Sequence, residues 1–245
     1  MTYGVGMVLE SGLVLAADTR TNAGVDNIAT FKKLHVWERK GERVIMLVTA
    51  GNLAVTQAVV ALLGEEAQGS RRKDARPNLL SAPNMFQAAR VVGAALRDIR
   101  LVDGEALTAA NGDFSATLLL GGQIGKERPR LFLIYAAGNF IEATEDTPFL
   151  QVGETKYGKP ILDRVAVQSM SLGQAGKLVL LSFDSTLRSN LSVGLPIDLT
   201  LYQRDSLSAD GQRRIGKDDL YFRKLSGDWS KALRTAFAGI DEPDP

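Results

Sequence analysis

Four apolar runs of strand length stand in the first fifty residues as two pairs, the members of each pair parted only by a short turn. Residues 2–9 (TYGVGMVL) meet the turn Glu10-Ser11-Gly12 and return as residues 13–18 (LVLAAD). Residues 33–38 (KLHVWE) and 43–50 (RVIMLVTA) flank the polar turn 39–42. Both pairs read as β-hairpins, and the polar stretch 19–31 between them reads as a loop. Two hairpins at the start do not fit the strand–helix–strand order of a doubly wound parallel sheet.

The pattern then turns helical. Residues 51–68 are apolar over much of their length, and 69–78 form a charged loop. Ser81-Ala82-Pro83 reads as a helix start, with Ser81 as the N-cap, and the helix is expected to run to about Leu101. Met85, Ala89, Val92, Ala95, Leu96 and Ile99 keep its 3.6 period. Strands are expected at 114–121, 130–136 and 140–144, helices at 157–167 and 174–189, and a strand at 197–204. A last helix spans 218–237 and a fraying tail 238–245. No repeat or linker divides residues 1–245, so one domain is expected. The order fits an α+β architecture in which two antiparallel sheets stack face to face and helices cover both.

Composition narrows the chemistry. The chain has 29 Lys+Arg and 28 Asp+Glu for a net charge of +1, without the basic excess that phosphate neutralisation needs, so no nucleic-acid partner is expected. There is no cysteine and one histidine, His35. That excludes a thiolate nucleophile, a cysteine zinc site and a site of several histidines, and neither metal nor cofactor is expected. A Ser-His-Asp triad could use only His35, which lies in an alternating strand and reads as structural. The apolar start lacks a basic flank and is interrupted by Glu10, so no leader or membrane span is expected, and a cytoplasmic location is the simpler reading. The basic runs Arg71-Arg72-Lys73 and Lys126-Glu127-Arg128 read as solvated loops. Gly173-Gln-Ala-Gly176-Lys177 lacks both the leading glycine and the Ser/Thr of a phosphate loop.

One nucleophile needs neither His nor Cys. Thr2 follows Met1, and threonine is small enough for methionine removal to be expected. A freed α-amino group has a pKa of about 7.7–8.0 and can take the proton of the residue's own hydroxyl. A hairpin turning at Ser11 sets Gly4 opposite Asp18 and Thr2 opposite Arg20, to within one residue. Asp18 ends an apolar strand and needs a partner there, which Lys32 or Lys33 could supply. A lysine near the amine would lower the amine's pKa. Gly51 ends the fourth strand and is expected to open the helix, with its N–H turned outward as an oxyanion donor.

Together Thr2, the LVLAADTR segment, Lys32-Lys33-Leu34 and Val48-Thr49-Ala50-Gly51 resemble the proteasome β-type family of N-terminal nucleophile hydrolases. ADTRTNAGVDNIATFKK, VGETKYGKPILDR and FDSTLRSNLSVG are similar to the bacterial ancestral β-subunit group, Anbu. The resemblance implies a four-layer αββα sandwich. It implies Thr2 as nucleophile with its α-amino group as base, Lys33 tuning that amine, Asp18 holding Lys33, Gly51 as oxyanion donor and Arg20 in support. The chain departs from the family pattern in having Glu154 where a small serine follows the glycine, and Asn190 where a supporting aspartate stands; Ser192 falls on the supporting serine. The implied function is hydrolysis of peptide or amide bonds in a homo-oligomeric ring or open spiral, with an ATPase partner left open. The alternatives are a catalytically weak or silent assembly protein, and transfer of the acyl group to an amine.

Overall fold

The computed structural model describes residues 1–22, 28–69 and 77–243. The run Arg71-Arg72-Lys73, part of the loop 19–31 and the end of the tail lie outside the described residues. The first sheet contains β1 (Tyr3–Leu9) and β2 (Gly12–Asp18), the expected first hairpin. β3 (Arg20–Asn22) and β4 (Ile28–Thr30) pair with each other inside the stretch read as loop. β5 (Leu34–Arg39) and β6 (Arg43–Gly51) form the next hairpin. After α1 (Leu53–Gly69) and α2 (Met85–Ala109), the second sheet continues with β7 (Ala116–Ile124), β8 (Arg130–Ile134) and β9 (Phe140–Glu142). β10 (Phe149–Gly153), α3 (Lys159–Val165), α4 (Leu172–Ser189), β11 (Ile197–Gln203), β12 (Gln212–Ile215) and α5 (Leu220–Ala238) complete the chain.

The strand orders are β10-β1-β2-β11-β12 and β5-β6-β7-β8-β9, antiparallel throughout. Leu13, Leu15 and Ala17 from one sheet meet Val44, Met46 and Val48 from the other in the central layer. The opposite face of the second sheet packs Ile45, Leu47, Leu118 and Leu120 on Val59, Val92 and Leu96 of α1 and α2. The opposite face of the first packs Tyr3, Val5 and Ala16 on Val179 and Phe183 of α4. Alternate residues of each strand thus serve two apolar layers, giving the expected four-layer sandwich.

Several boundaries move for local reasons. Ser81 does not cap α2; its hydroxyl accepts the Asn78 N–H in a preceding turn at 2.9 Å. Pro83 disfavours helical backbone at Ala82, so the helix begins after it, capped by Asn84, which accepts the Gln87 N–H. The helix also continues eight residues past Leu101, to Ala109. α4 starts earlier than expected because Ser171 and Gln174 form a reciprocal capping box. β10 and β12 were not expected. Both are short edge strands whose existence depends on partners far away in sequence, β1 and β11.

Candidate functional site

The first hairpin sets the frame. Gly4 pairs with Ala17 and Leu9 with Gly12. The register is one residue from the one centred on Ser11, so Asp18 serves Tyr3: the Tyr3 N–H donates to Asp18 Oδ1 at 3.1 Å. Thr2 lies just before β1 and is 5% exposed. Its carbonyl accepts the Glu154 N–H at 2.7 Å, beside the pairing of β1 with β10.

Asp18, at the end of β2, is fully buried, and both of its carboxylate oxygens accept hydrogen bonds. Oδ1 accepts Lys33 Nζ at 2.9 Å as well as the Tyr3 N–H, and Oδ2 accepts the Gly194 N–H at 3.3 Å. Lys33 precedes β5 and its side chain is 4% exposed. The remaining two donors of its ammonium go to the carbonyls of Arg20 and Met1, the latter at 3.1 Å. Nζ therefore lies within hydrogen-bond distance of the Met1–Thr2 peptide. Burial holds the Lys33 ammonium below its ordinary pKa, opposed by the Asp18 charge. Burial likewise raises the Asp18 carboxyl, opposed by Lys33 and by the Tyr3 and Gly194 amides. Of the two lysines left open by spacing, Lys33 is the buried one and Lys32 is exposed.

Arg20 belongs to the same cluster through both backbone and side chain. Its carbonyl accepts from Lys33, and its guanidinium donates to the Leu191 carbonyl at 3.0 Å. Thr19 Oγ1 donates to the Pro196 carbonyl at 2.7 Å. Asp18-Thr19-Arg20 thus grips the segment that follows α4. Asn190 is the C-cap of α4, and its Oδ1 accepts the Ser192 N–H at 2.8 Å. Asn190 and Ser192 bond to each other within this segment, which meets the Lys33 cluster through Leu191 and Gly194. Glu154 meets Thr2 through its backbone N–H. Gly194 was missed in the sequence because a backbone amide aimed at a carboxylate 176 residues away leaves no local pattern.

Gly51 is the last residue of β6, opposite Ala116, rather than the opener of α1. Asn52 caps the helix, its side chain accepting the Ala54 N–H at 3.0 Å. Gly51 has φ +117°, and a Cβ there would approach the Ser115 carbonyl to 2.3 Å, so the position demands glycine. The Thr49 N–H donates to the Lys33 carbonyl at 2.9 Å, while the Asn52 N–H donates to Ser115 on the opposite edge. Strand alternation accordingly turns the Gly51 N–H toward the Lys33 edge. His35 sits part-buried on β5, outside this cluster, and burial, reinforced by Lys32, holds its pKa down at about 4.

Among the described residues no group of His, Asp and Glu side chains could hold a metal ion. No helix among them is long and apolar enough to cross a membrane. The model of the proteasome subunit family matches residues 2–200. The chain is similar over 100% of its length, and 100% of the other's, to the structure of an Anbu (Gly-1) mutant from Hyphomicrobium sp. strain MC1, with 59% identity and a TM-score of 0.92. It is 46% identical to Anbu (ancestral beta-subunit) from Yersinia bercovieri, covering 99% of each chain at a TM-score of 0.92. It is 47% identical to the chain in the helical assembly of the Anbu complex from Pseudomonas aeruginosa, covering 99% of this chain and 98% of that one at a TM-score of 0.92. Comparison with curated proteins finds no match.

Proposed function

The chain belongs to the proteasome family, and from that premise we propose that it is a threonine-type hydrolase of peptide or amide bonds that acts once Met1 has been removed. The observation that carries this reading is the position of Lys33 Nζ, 3.1 Å from the Met1 carbonyl and 2.9 Å from Asp18. It lies at the peptide bond whose cleavage would turn Thr2 N into an amine.

In this reading the Thr2 hydroxyl attacks the substrate carbonyl, and the α-amino group takes the hydroxyl proton. The proton passes to the departing amine as the scissile C–N bond breaks, leaving an ester on Thr2. Water then attacks the ester, again giving its proton to the α-amino group; the acyl C–O bond to Thr2 Oγ breaks, that proton passes to Oγ, and the carboxylic product leaves with the Thr2 hydroxyl restored. A positive Lys33 beside the amine favours its neutral, basic form. Asp18 fixes the ammonium, Gly51 N–H stabilises the oxyanion, and Arg20 holds the segment carrying Asn190, Ser192 and Gly194. Glu154 replaces a hydroxyl in the family pattern with a carboxylate, which would raise the pKa of a nearby amine when ionised. The whole chain is taken as one cytoplasmic domain that assembles with itself into a ring or open spiral, in line with the helical assembly of its Pseudomonas aeruginosa relative. Whether an ATPase feeds the assembly is a separate question.

The test is the intact mass of the purified protein before and after treatment with a threonine-directed epoxyketone. Loss of Met1 and one adduct, absent from Thr2→Ala, is the expected result. A second reading, a silent assembly, draws support from Glu154 and Asn190, which stand where the family pattern has a serine and an aspartate. Retained Met1, or a free Thr2 that never reacts, would favour it. Acyl transfer shares the ester and is separated from hydrolysis by adding an acceptor amine.

A further inference from the structure

Tyr3, the residue after Thr2, is held at both ends. Its N–H donates to Asp18, the carboxylate that fixes Lys33. Its ring is fully buried in the layer between the first sheet and α4, with its centroid 4.6 Å from that of Phe183. A phenylalanine would fill that apolar layer with no polar group to satisfy.

The hydroxyl at the tip is nevertheless fully paired. It donates to Ser182 Oγ at 3.0 Å and accepts from Gln151 Nε2 at 2.8 Å. The direction is forced, because Ser182 Oγ gives its own proton to the Val179 carbonyl at 2.7 Å and can only accept from Tyr3. Burial pushes the phenol pKa up to about 12, so the hydroxyl keeps its proton at neutral pH.

Gln151 reaches the hydroxyl by register. On β10 it stands opposite Val5, while Gly153 stands opposite Tyr3, so Gln151 is the diagonal neighbour of Tyr3 on the same face. The same amide nitrogen donates to the Thr155 carbonyl at 3.4 Å. Between the two lies Glu154, whose N–H binds the Thr2 carbonyl at 2.7 Å. Gly158 closes the other side: its φ is an ordinary −88°, yet a Cβ there would come within 2.3 Å of Tyr3 Oη. Residues 151–158 therefore grip Thr2 by its main chain and Tyr3 by its side chain.

We propose that Tyr3 is a positioning residue for Thr2. Its hydroxyl, locked by Gln151 and Ser182, fixes the start of β1 and so holds the Thr2 hydroxyl and amine in place beside Lys33. This role rests on the reading of Thr2 as nucleophile.

The test measures epoxyketone labelling of Thr2 in the full-length assembled protein, separated into a limiting rate and a half-saturating concentration. Tyr3→Phe keeps the ring and removes the anchor. It should lower the limiting rate about tenfold and leave half-saturation unchanged, because the reacting groups are displaced while the reagent binds as before. Gln151→Leu should do the same, and the Tyr3→Phe/Gln151→Leu pair should lose no more than either alone, since both cut one link. Val92→Ala, in the core of the other sheet, should melt earlier yet label as wild type does. A wild-type limiting rate in Tyr3→Phe or Gln151→Leu overturns the proposal, as do losses that multiply in the pair. If Tyr3→Phe fails to fold, Gly158→Ala, which presses on the hydroxyl from outside, takes its place with the same expected loss. Hydrogen exchange separates this proposal from the hydrolase reading. A wild type that never labels sinks the hydrolase reading alone, whereas the Glu154 N–H should still exchange faster in Tyr3→Phe than in wild type. Unchanged exchange there overturns the anchor.

Discussion

Gly194 lies flat against the guanidinium of Arg20: a Cβ at Gly194 would come within 2.1 Å of Arg20 Nε and 2.3 Å of its Cζ. The same glycine donates its N–H to Asp18. A single added methyl therefore pushes on Arg20 and pulls the donor off Asp18 together. Gly194→Ala should lower stability by about 1–3 kcal/mol and slow epoxyketone labelling of Thr2. Thermal melts and adduct rates by mass spectrometry check both. Unchanged labelling would limit the segment after α4 to a structural role.

Asp18 and Lys33 should show strong coupling. Removing one partner leaves the other charge buried, at a cost of about 3–5 kcal/mol, whereas removing both is far milder. The Lys33→Met/Asp18→Asn double variant should destabilise far less than the sum of the Lys33→Met and Asp18→Asn costs. Denaturant titrations of the four proteins close the cycle. All three variants should lose Thr2 reactivity, by on the order of 10²-fold or more.

Gly51→Ala combines a positive φ with a backbone collision at 2.3 Å. A strained non-glycine residue there costs about 1–3 kcal/mol before the collision is counted. The variant should melt earlier and label more slowly, because relieving the strain turns the Gly51 N–H away from the Lys33 edge. Circular dichroism melts with labelling kinetics provide the check.

His35 supplies a pH signature. Its folded pKa is about 4 against an ordinary 6.5, first because it is buried and second because Lys32 is near. Above pH 6.5 both states are neutral and it contributes no pH dependence. As pH falls from 6.5 toward 4 the unfolded chain binds a proton that the folded chain refuses, so stability falls by up to about 3 kcal/mol. Asp18, with its carboxyl raised by burial, slopes the opposite way in acid. The difference between wild type and His35→Gln isolates the imidazole: the two curves should diverge below pH 6.5 and run parallel above it.

The hairpins and core helices were legible because their signals are local. Alternation over LVLAAD and RVIMLVTA, and the 3.6 period from Met85 to Ile99, each fit within one element. Helix starts were less legible where cap residues crowd together. Ser81 and Asn84 are both good caps, and the steric effect of Pro83 on Ala82 chooses the second. Capping by Asn52 was hidden in the same way behind Gly51. In the site, residue type and hairpin register brought out Thr2, Asp18 and a lysine, while Lys33 over Lys32 came from the family likeness. Gly194, the Tyr3 amide and the Met1 carbonyl contribute backbone atoms, which any residue carries, and only the folded chain can single them out.

The partners of Asp18 and Lys33 come from distant parts of the chain. Asp18 needs Tyr3 and Gly194, 15 and 176 residues away, and Thr2 needs Glu154 across β10. Contacts of such span close late in folding. A ribosome-bound or half-folded chain has the threonine but lacks the pocket that would make it reactive. In the proposed reading, chain topology delays the hazard until the segment after α4, which carries Gly194, has been made and has docked.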